Sequence, residues 1–172
     1  RSSHKVWIEN TQMRSVQRRL RVPRRADILH SFTVLRAASA RATASAMNQS
    51  HLQVREGTAL VVYARPECVL SQVPRQVLLD TLSEAERAKV ARFMAKDDSD
   101  LYLTAHALTR CLLARLLGAV PLALEFQVSE RGRPELAGDA AQSGIRFNLS
   151  HTRGLAACGV TLRSAIGVDA EH

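Results

Sequence analysis

Two acidic residues near the end of the chain have the spacing of a divalent-metal site. Asp169 and Glu171 lie two positions apart and follow Gly167 and Val168 in the sequence. In a strand, residues i and i+2 point to the same face, so the two carboxylates would repel unless a cation or a proton lay between them. Mg²⁺ typically takes one or two carboxylates, keeps several waters and bridges to substrate phosphates. A solvated strand end carrying two acids is the alternative interpretation.

A second polar group lies in the segment FNLSHT, residues 147–152. The trio Ser150, His151 and Thr152 follows an apolar segment that we predict to be a strand, so hydroxyls and an imidazole would emerge at the strand end. Such groups suit phosphate or acyl chemistry, because hydroxyls donate hydrogen bonds and a charged imidazole neutralises anionic oxygens. An ordinary turn is the alternative, and adjacency alone does not make Ser150 and His151 a catalytic dyad.

Two further basic positions have weaker local signals. Arg133 lies between Gly132 and Pro134, a combination that by itself predicts a turn. Arg110 follows His106 by four residues on a predicted helix. Arg110 lies off the apolar stripe of that helix, which predicts a solvated side chain. His106 is expected to be a satisfied surface or core histidine.

The elements that must position these residues indicate an α+β fold: a small, mainly antiparallel sheet with two helices packed on one face. Ser83 and Glu86 fit a capping box, which predicts a helix that runs to about Met94. A second helix starts in the polar residues 96–100 and stops at Gly118. The predicted strands are Thr58–Ala64, Leu124–Val128, Ile145–Leu149, Ala156–Thr161 and Ala165–Asp169. Residues 129–144 are predicted to be a loop.

Length and composition indicate one globular domain. The chain has 172 residues, of which 46% are apolar and 23% charged. It contains no run of about 18 uncharged apolar residues, so a membrane partner is not expected. Three cysteines without a CxxC spacing argue against a disulfide framework or a zinc site and suit the cytoplasm.

The net charge of +8 lies entirely in residues 1–46, so the remainder gives no electrostatic reason to expect nucleic acid. The Arg- and Ser-rich segment 1–46 has three interpretations. It could be a transit peptide, a basic arm that binds RNA or an anionic surface, or an extension that does not belong to the folded protein. We expect the last, with segment 1–46 disordered or not native and the domain at 47–172, because the domain pattern begins cleanly after Met47.

The order and spacing of the motifs resemble a known family. LYLTAHALTRCLLARLLG, GRP, FNLSHT and IGVDAE follow one another, and Asp169 lies 18 residues after His151. This arrangement resembles the 4′-phosphopantetheinyl transferases of the large, two-lobed, surfactin-synthetase-activating type. The resemblance covers residues 83–172 well and 58–82 loosely, and it does not cover 1–46.

The resemblance implies an enzyme that moves the 4′-phosphopantetheine arm of coenzyme A to a serine of an acyl or peptidyl carrier protein and releases 3′,5′-ADP. By the same likeness, Asp169 and Glu171 would hold Mg²⁺ on the pyrophosphate, and Ser150 and His151 would contact the phosphates. Arg133, at the lysine of the family's GKP turn, would bind coenzyme A. Arg110 would lie near the nucleotide. Asp169, Glu171 and His151 are thus the expected catalytic residues.

The departures from the family pattern lead to two hypotheses. Arg133 changes the geometry of the usual lysine, and Ser99–Leu101 offers no obvious basic residue for the 3′-phosphate. The sequence stops at His172, without the family's second half and its W-x-x-K-E motif. We therefore expect an amino-terminal lobe of a pseudo-twofold enzyme, and self-association through the apolar face it leaves uncovered. The alternative is a non-catalytic fragment that binds a carrier protein or coenzyme A.

Overall fold

The computed structural model describes residues 5–10, 20–21, 52–130 and 132–172. The strands are β1 Lys5–Asn10, β2 Leu20–Arg21, β3 Ala59–Ala64, β4 Phe126–Val128, β5 Pro134–Leu136, β6 Ile145–Thr152, β7 Leu155–Leu162 and β8 Ile166–Glu171. The helices are α1 Pro66–Leu70, α2 Arg75–Leu79, α3 Glu84–Arg92 and α4 Lys96–Leu117, with 3₁₀ helices at Pro121–Ala123 and Gly138–Ser143. This is the α+β class that the sequence predicts.

The two main helices begin and end where the sequence signals place them. Ser83 caps α3 by accepting a hydrogen bond from the Glu86 amide, and the Glu86 carboxylate accepts one from the Ser83 amide in return. Helix α4 ends at Gly118, whose φ of 66° is a left-handed conformation that suits glycine. No helix within the described part of the chain is long and apolar enough to cross a membrane.

A three-stranded antiparallel sheet in the order β3-β7-β6 forms the centre of the fold. Its central strand β7 is buried on both faces. On one face, Cys158 and Val160 join the cluster around Leu108 of α4. On the other face, Leu155 and Ala157 pack in a second cluster with residues of β1 and β8. Burial on both sides explains why β7 is a continuous apolar run rather than an alternating one.

The second sheet has the order β2-β1-β8, and it packs closely on β7. A Cβ atom on Gly159 of β7 would lie 2.4 Å from Val168 Cγ2 and 2.8 Å from Ile166 Cδ1, both on β8. Because such contacts are far shorter than real side chains tolerate, only glycine allows β8 to approach at this distance. Gly159 therefore helps to set the position of the strand that carries the acidic pair.

Strand β1 corrects the expectation for part of segment 1–46. Lys5–Asn10 pairs antiparallel with β8, and Val6 is completely buried. The reason is local: Val6 and Ile8 lie two positions apart and pack on the same cluster, which suits a strand with one face on the core. The boundary at residue 47 lies outside the described residues and stays a prediction.

Two other predictions are corrected between residues 129 and 152. Part of the predicted loop forms β5, which pairs with β4 so that Phe126 lies opposite Leu136. Leu136 is buried, and Gly132, with a φ of 74°, allows the chain to reverse between the two strands. Strand β6 continues through Thr152 rather than ending at Leu149. The polar trio is therefore part of a strand, and its members alternate between two faces.

Candidate functional site

The acidic pair lies on one face of β8, as its spacing predicts. Asp169 and Glu171 are exposed, whereas the alternating residues Ile166, Val168 and Ala170 are buried against the second cluster. The alternation turns both carboxylates away from the core. They therefore retain their access to solvent and to a ligand.

Both carboxylates line an open pocket of about 420 Å³ between β1, β8, β6 and the β4–β5 hairpin. Besides Asp169 and Glu171, it is lined by Trp7, Ile8, Glu9, Arg133, Asn148, Gly167 and Val168. Arg133 is the basic member of this lining. The pocket therefore brings together three of the residues that the sequence predicts for the site, the two acids and Arg133, although Arg133 is far from them in sequence.

Arg133 reaches the pocket from the end of the β4–β5 hairpin. Its amide donates a hydrogen bond to Ser129 Oγ at 3.2 Å, and the Ser129 amide donates to the Arg133 carbonyl at 2.8 Å. Gly132 supplies the left-handed conformation of the reversal. The GRP segment is thus the turn that its composition predicts, and the turn also places a cationic side chain in the lining of the pocket.

Ser150 acts on β8 from the neighbouring strand β6. The Ala170 amide donates a hydrogen bond to Ser150 Oγ at 3.1 Å, and the Ser150 hydroxyl lies 3.4 Å from Asp169 Oδ1. Two residues away, the Val168 amide donates to Asn148 Oδ1 at 2.8 Å. Asn148 and Ser150 thus hold the edge of β8 on both sides of Asp169, with side-chain acceptors where a neighbouring strand would offer carbonyls.

His151 lies on the opposite face of β6 from Ser150. Phe147, on the same face as His151, packs into the helix-side cluster, and its ring meets Phe126 edge-on. The pKa of His151 is lowered because its ring is partly removed from water and because His106 and Lys89 add positive charge nearby. The structure therefore does not place Ser150 and His151 together, although they are adjacent in sequence.

His106 is a satisfied histidine, as predicted. Its Nδ1 lies 3.0 Å from Glu86 Oε1, and its ring stacks on Tyr102 at a centroid distance of 3.9 Å. Lys89 lies 4.9 Å from the centroid of the same Tyr102 ring, within cation–π range. Helices α3 and α4 thus present Lys89 and His106 beside His151. Lys89, His106 and His151 thus form a basic group on the helix side of the sheet, which we call the His151 corner.

Arg110 is buried rather than solvated, so that sequence expectation is wrong. Only 4% of the residue is exposed, and its Nε donates a hydrogen bond to Glu86 Oε2 at 2.7 Å. Its Nη1 donates to the carbonyls of Pro121 and Leu124 at 2.8 and 3.0 Å. Arg110 is buried because it faces residues 121–124, which cross over α4. The structure does not bring Arg110 into the pocket of the acidic pair.

Glu86 balances the charge of Arg110. Burial by itself raises the pKa of Glu86, but hydrogen bonds from His106 and Ser83 together with the charge of Arg110 outweigh it and hold the pKa at about 2. The carboxylate is therefore ionised throughout the physiological range. Glu86 links the start of α3 to the middle of α4, which gives the Arg110–Glu86 pair an evident structural role.

Sequence reasoning missed two residues of the site, Trp7 and Asn148. The Trp7 indole Nε1 donates a hydrogen bond to Glu171 Oε2 at 2.9 Å. A signal for Trp7 existed in the short apolar, β-branched and aromatic run Val6–Ile8, which was hidden in an Arg-rich segment. For Asn148, the signal was its two-residue spacing from Ser150, which matches the spacing of the two β8 amides that they accept.

The acidic pair fits the ligand preference of Mg²⁺ only in part. Both carboxylates offer hard oxygen ligands on one face of a pocket. Across the ranges that the structure describes, no group of three or more His, Cys, Asp or Glu side chains is arranged to hold a metal ion. Two carboxylates leave about four positions of an octahedral ion to water and to oxygens of a ligand.

Comparison with known proteins gives consistent matches. A family model described as "4'-phosphopantetheinyl transferase, N-terminal" matches residues 71–160, about half of the chain. The 4'-phosphopantetheinyl transferase HetI of Nostoc sp. is 36% identical over 97 residues, 56% of this chain and 41% of HetI. Protein slr0495 of Synechocystis sp., provisionally named for the same activity, is 34% identical over 88 residues, 51% of this chain and 35% of slr0495.

The chain spans less than half the length of either relative. Among solved structures, a holo-(acyl-carrier-protein) synthase of Bacillus anthracis in complex with CoA resembles 62% of this chain at 16% identity, with a TM-score of 0.43. That likeness is too distant to carry an argument about the site.

Proposed function

Because this chain belongs to the 4′-phosphopantetheinyl transferase family, we propose that it serves the transfer of the 4′-phosphopantetheine arm from coenzyme A to a serine of an acyl or peptidyl carrier protein. The observation that carries the proposal is the pocket in which Asp169, Glu171 and Arg133 converge. Two carboxylates and a guanidinium suit a phosphorylated ligand that arrives with a divalent cation.

In this reaction one phosphorus–oxygen bond forms and another phosphorus–oxygen bond breaks. The carrier serine oxygen attacks the pyrophosphate phosphorus that bears the pantetheine arm, and the bond from that phosphorus to the bridging oxygen breaks. The electron pair leaves on 3′,5′-ADP, and the serine proton passes to solvent. Since no covalent enzyme intermediate is needed, the protein contributes positioning and neutralisation of charge on the phosphate oxygens.

Asp169 and Glu171 are the residues that would hold Mg²⁺. When bound there, Mg²⁺ would offset the charge of the pyrophosphate oxygens. Arg133 would approach the same phosphates from the hairpin, and its guanidinium can bind two oxygens at once. Its exposure leaves it able to do so.

The His151 corner would bind a second, separate phosphate of coenzyme A. His151 and Lys89 are exposed, and His106 lies with them on the helix side of the sheet. Partial burial and, after it, the positive charge of His106 and Lys89 lower the pKa of His151, and a dianionic phosphate at this corner would offset that charge. The sheet therefore separates the proposed pyrophosphate site from this second phosphate site.

Ser150 and Arg110 would support the site by holding other parts of the protein in place. The resemblance implies that both approach the coenzyme, but Ser150 holds the Ala170 amide and Arg110 is enclosed by Glu86 and two backbone carbonyls. Each would act on the coenzyme through the residues that it positions. The cysteines are free thiols, which suits a reducing compartment such as the cytoplasm.

Mass spectrometry of an apo carrier protein incubated with the full chain, coenzyme A and Mg²⁺ tests the proposal. We expect the carrier to gain the mass of the arm, and Asp169→Ala to abolish the gain. Asp139→Ala is the matched control, because Asp139 is an exposed acid outside the pocket. Binding of the carrier or coenzyme without a gain in mass would refute transfer by this chain and favour the non-catalytic binding fragment.

A further inference from the structure

Trp7 touches the acidic pair directly, through the hydrogen bond from its Nε1 to Glu171 Oε2 at 2.9 Å. We propose that Trp7 is a positioning residue that fixes the Glu171 carboxylate beside Asp169, so that the affinity of the pocket for a divalent cation depends on the indole N–H. This inference rests on the proposed function, because it assumes that the acidic pair is a cation site.

Strand β1 holds the indole firmly enough for this role. Val6 is completely buried and Ile8 packs against the same cluster, so the residues on both sides of Trp7 are anchored in the core. The register of β1 and β8 places Trp7 opposite Asp169. An indole N–H can donate but cannot accept, so the Glu171 carboxylate oxygen is the acceptor in this contact.

Glu171 needs such a partner more than a core carboxylate would. It is an exposed side chain with several rotatable bonds, and the like charge of Asp169 on the same strand face repels it. A hydrogen bond to one carboxylate oxygen restricts the rotamers and leaves the other oxygen able to bind a cation. Because Trp7 already restricts Glu171 in the absence of a cation, less conformational entropy of this side chain is lost when a cation binds.

Removing a residue that orients a metal ligand commonly weakens metal affinity about 10-fold to 100-fold. Trp7→Phe is the informative change, because phenylalanine keeps an aromatic ring on β1 and deletes only the donor. We expect Trp7→Phe to raise the Mn²⁺ concentration for half-saturation about 10-fold, and to leave the thermal unfolding midpoint close to that of the wild type.

The hydrogen bond itself can be tested without any cation. Trp7 is the only tryptophan of the sequence, so intrinsic tryptophan fluorescence reports on the surroundings of this indole alone. Glu171→Ala, which keeps Trp7 but removes its acceptor, should shift the emission maximum. Glu9→Ala should leave the maximum in place, because Glu9 is a carboxylate of the same pocket that lies opposite Gly167 in the register.

The deciding experiment is a titration of the full chain with Mn²⁺ alone, followed by electron paramagnetic resonance of the free ion, on wild type and Trp7→Phe. Weaker binding by Trp7→Phe, together with the fluorescence shift in Glu171→Ala, supports the inference. Equal affinities, no shift, or a wild type that binds no Mn²⁺ would overturn it. If the wild type binds Mn²⁺ as expected but does not modify the carrier, the proposed function fails and the inference on Trp7 stands.

Discussion

Glu86 and Glu171 lie on opposite sides of the central sheet, and the structure satisfies their charges in different ways. Glu86 is enclosed by Arg110, His106 and the cap of α3, and these partners keep its pKa at about 2. Glu171 is exposed at the rim of a pocket, where an indole N–H holds one of its oxygens. A carboxylate paired with a buried arginine serves the fold, whereas one held by a neutral donor at a pocket keeps an oxygen accessible to a ligand.

Replacing Arg110 should give the largest effect on stability. Arg110→Ala leaves the partly buried Glu86 carboxylate without its cation, and losses of this kind cost up to about 3–5 kcal/mol. We expect chemical denaturation to show a fall in the free energy of unfolding of this size. If Arg110→Ala unfolds like the wild type but binds coenzyme A poorly, then Arg110 is a ligand-binding residue, as the family resemblance implies, and the comparison fails on the Glu86 side.

Acid should next remove the stabilisation that the Glu86 carboxylate provides. The folded pKa of Glu86, about 2, lies below its ordinary value of 4.5, so its stabilisation is complete above about pH 4.5 and is lost as the pH falls toward 2. The full loss is about 3 kcal/mol. Denaturation between pH 6 and pH 2 should show this slope in the wild type and a much smaller slope in Glu86→Gln. A wild-type slope that persists in Glu86→Gln would assign the effect to other groups.

These two predictions concern a contact that local sequence signals could not provide. Helices α3 and α4 and the shared face of Asp169 and Glu171 follow from caps and periodicities within a few residues. The Arg110–Glu86 pair joins residues 24 apart, and the direction of Arg110 depends on where residues 121–124 cross the helix. That crossing depends on the tertiary structure, so the apolar stripe of α4 alone predicted a solvated Arg110 where the structure has a buried one.

The site shows the same division between local and tertiary information. A strand end placed three residues too early was enough to group Ser150 with His151, because neighbouring side chains within a strand point to opposite faces. Strand β1 was missed because its alternation covers only six residues in a segment dominated by arginine. The pairing of β1 with β8 brings Trp7 to the acidic pair, and no sequence motif near Glu171 predicts this contact.

A smaller effect is expected where β6 holds β8. Asn148→Ala removes the acceptor of the Val168 amide, and the loss of one such partner costs about 1 kcal/mol. The change should also weaken Mg²⁺-dependent binding of coenzyme A, because the backbone beside Asp169 is released. Asn148→Asp, which keeps the acceptor oxygen, is the matched variant for the stability measurement. Equal free energies of unfolding for Asn148→Ala and wild type would show that the hydrogen bond from the Val168 amide to Asn148 does not stabilise β8.

The smallest change in stability is expected at Asp169 itself, together with the clearest change in binding. Asp169→Ala removes an exposed carboxylate that repels Glu171, so the thermal unfolding midpoint should stay close to that of the wild type. His151→Ala, on the other face of the sheet, should weaken binding of coenzyme A equally with and without Mg²⁺. Asp169→Ala should instead remove only the part of the affinity that requires Mg²⁺.

Calorimetric titration of the full chain with coenzyme A, with and without Mg²⁺, on wild type and Asp169→Ala is the most direct test that the acidic pair is a cation site for the coenzyme. We predict that Mg²⁺ strengthens binding to the wild type and makes no difference to Asp169→Ala. If Mg²⁺ leaves wild-type affinity unchanged, or strengthens binding to Asp169→Ala equally, then Asp169 and Glu171 do not hold the ion in this chain.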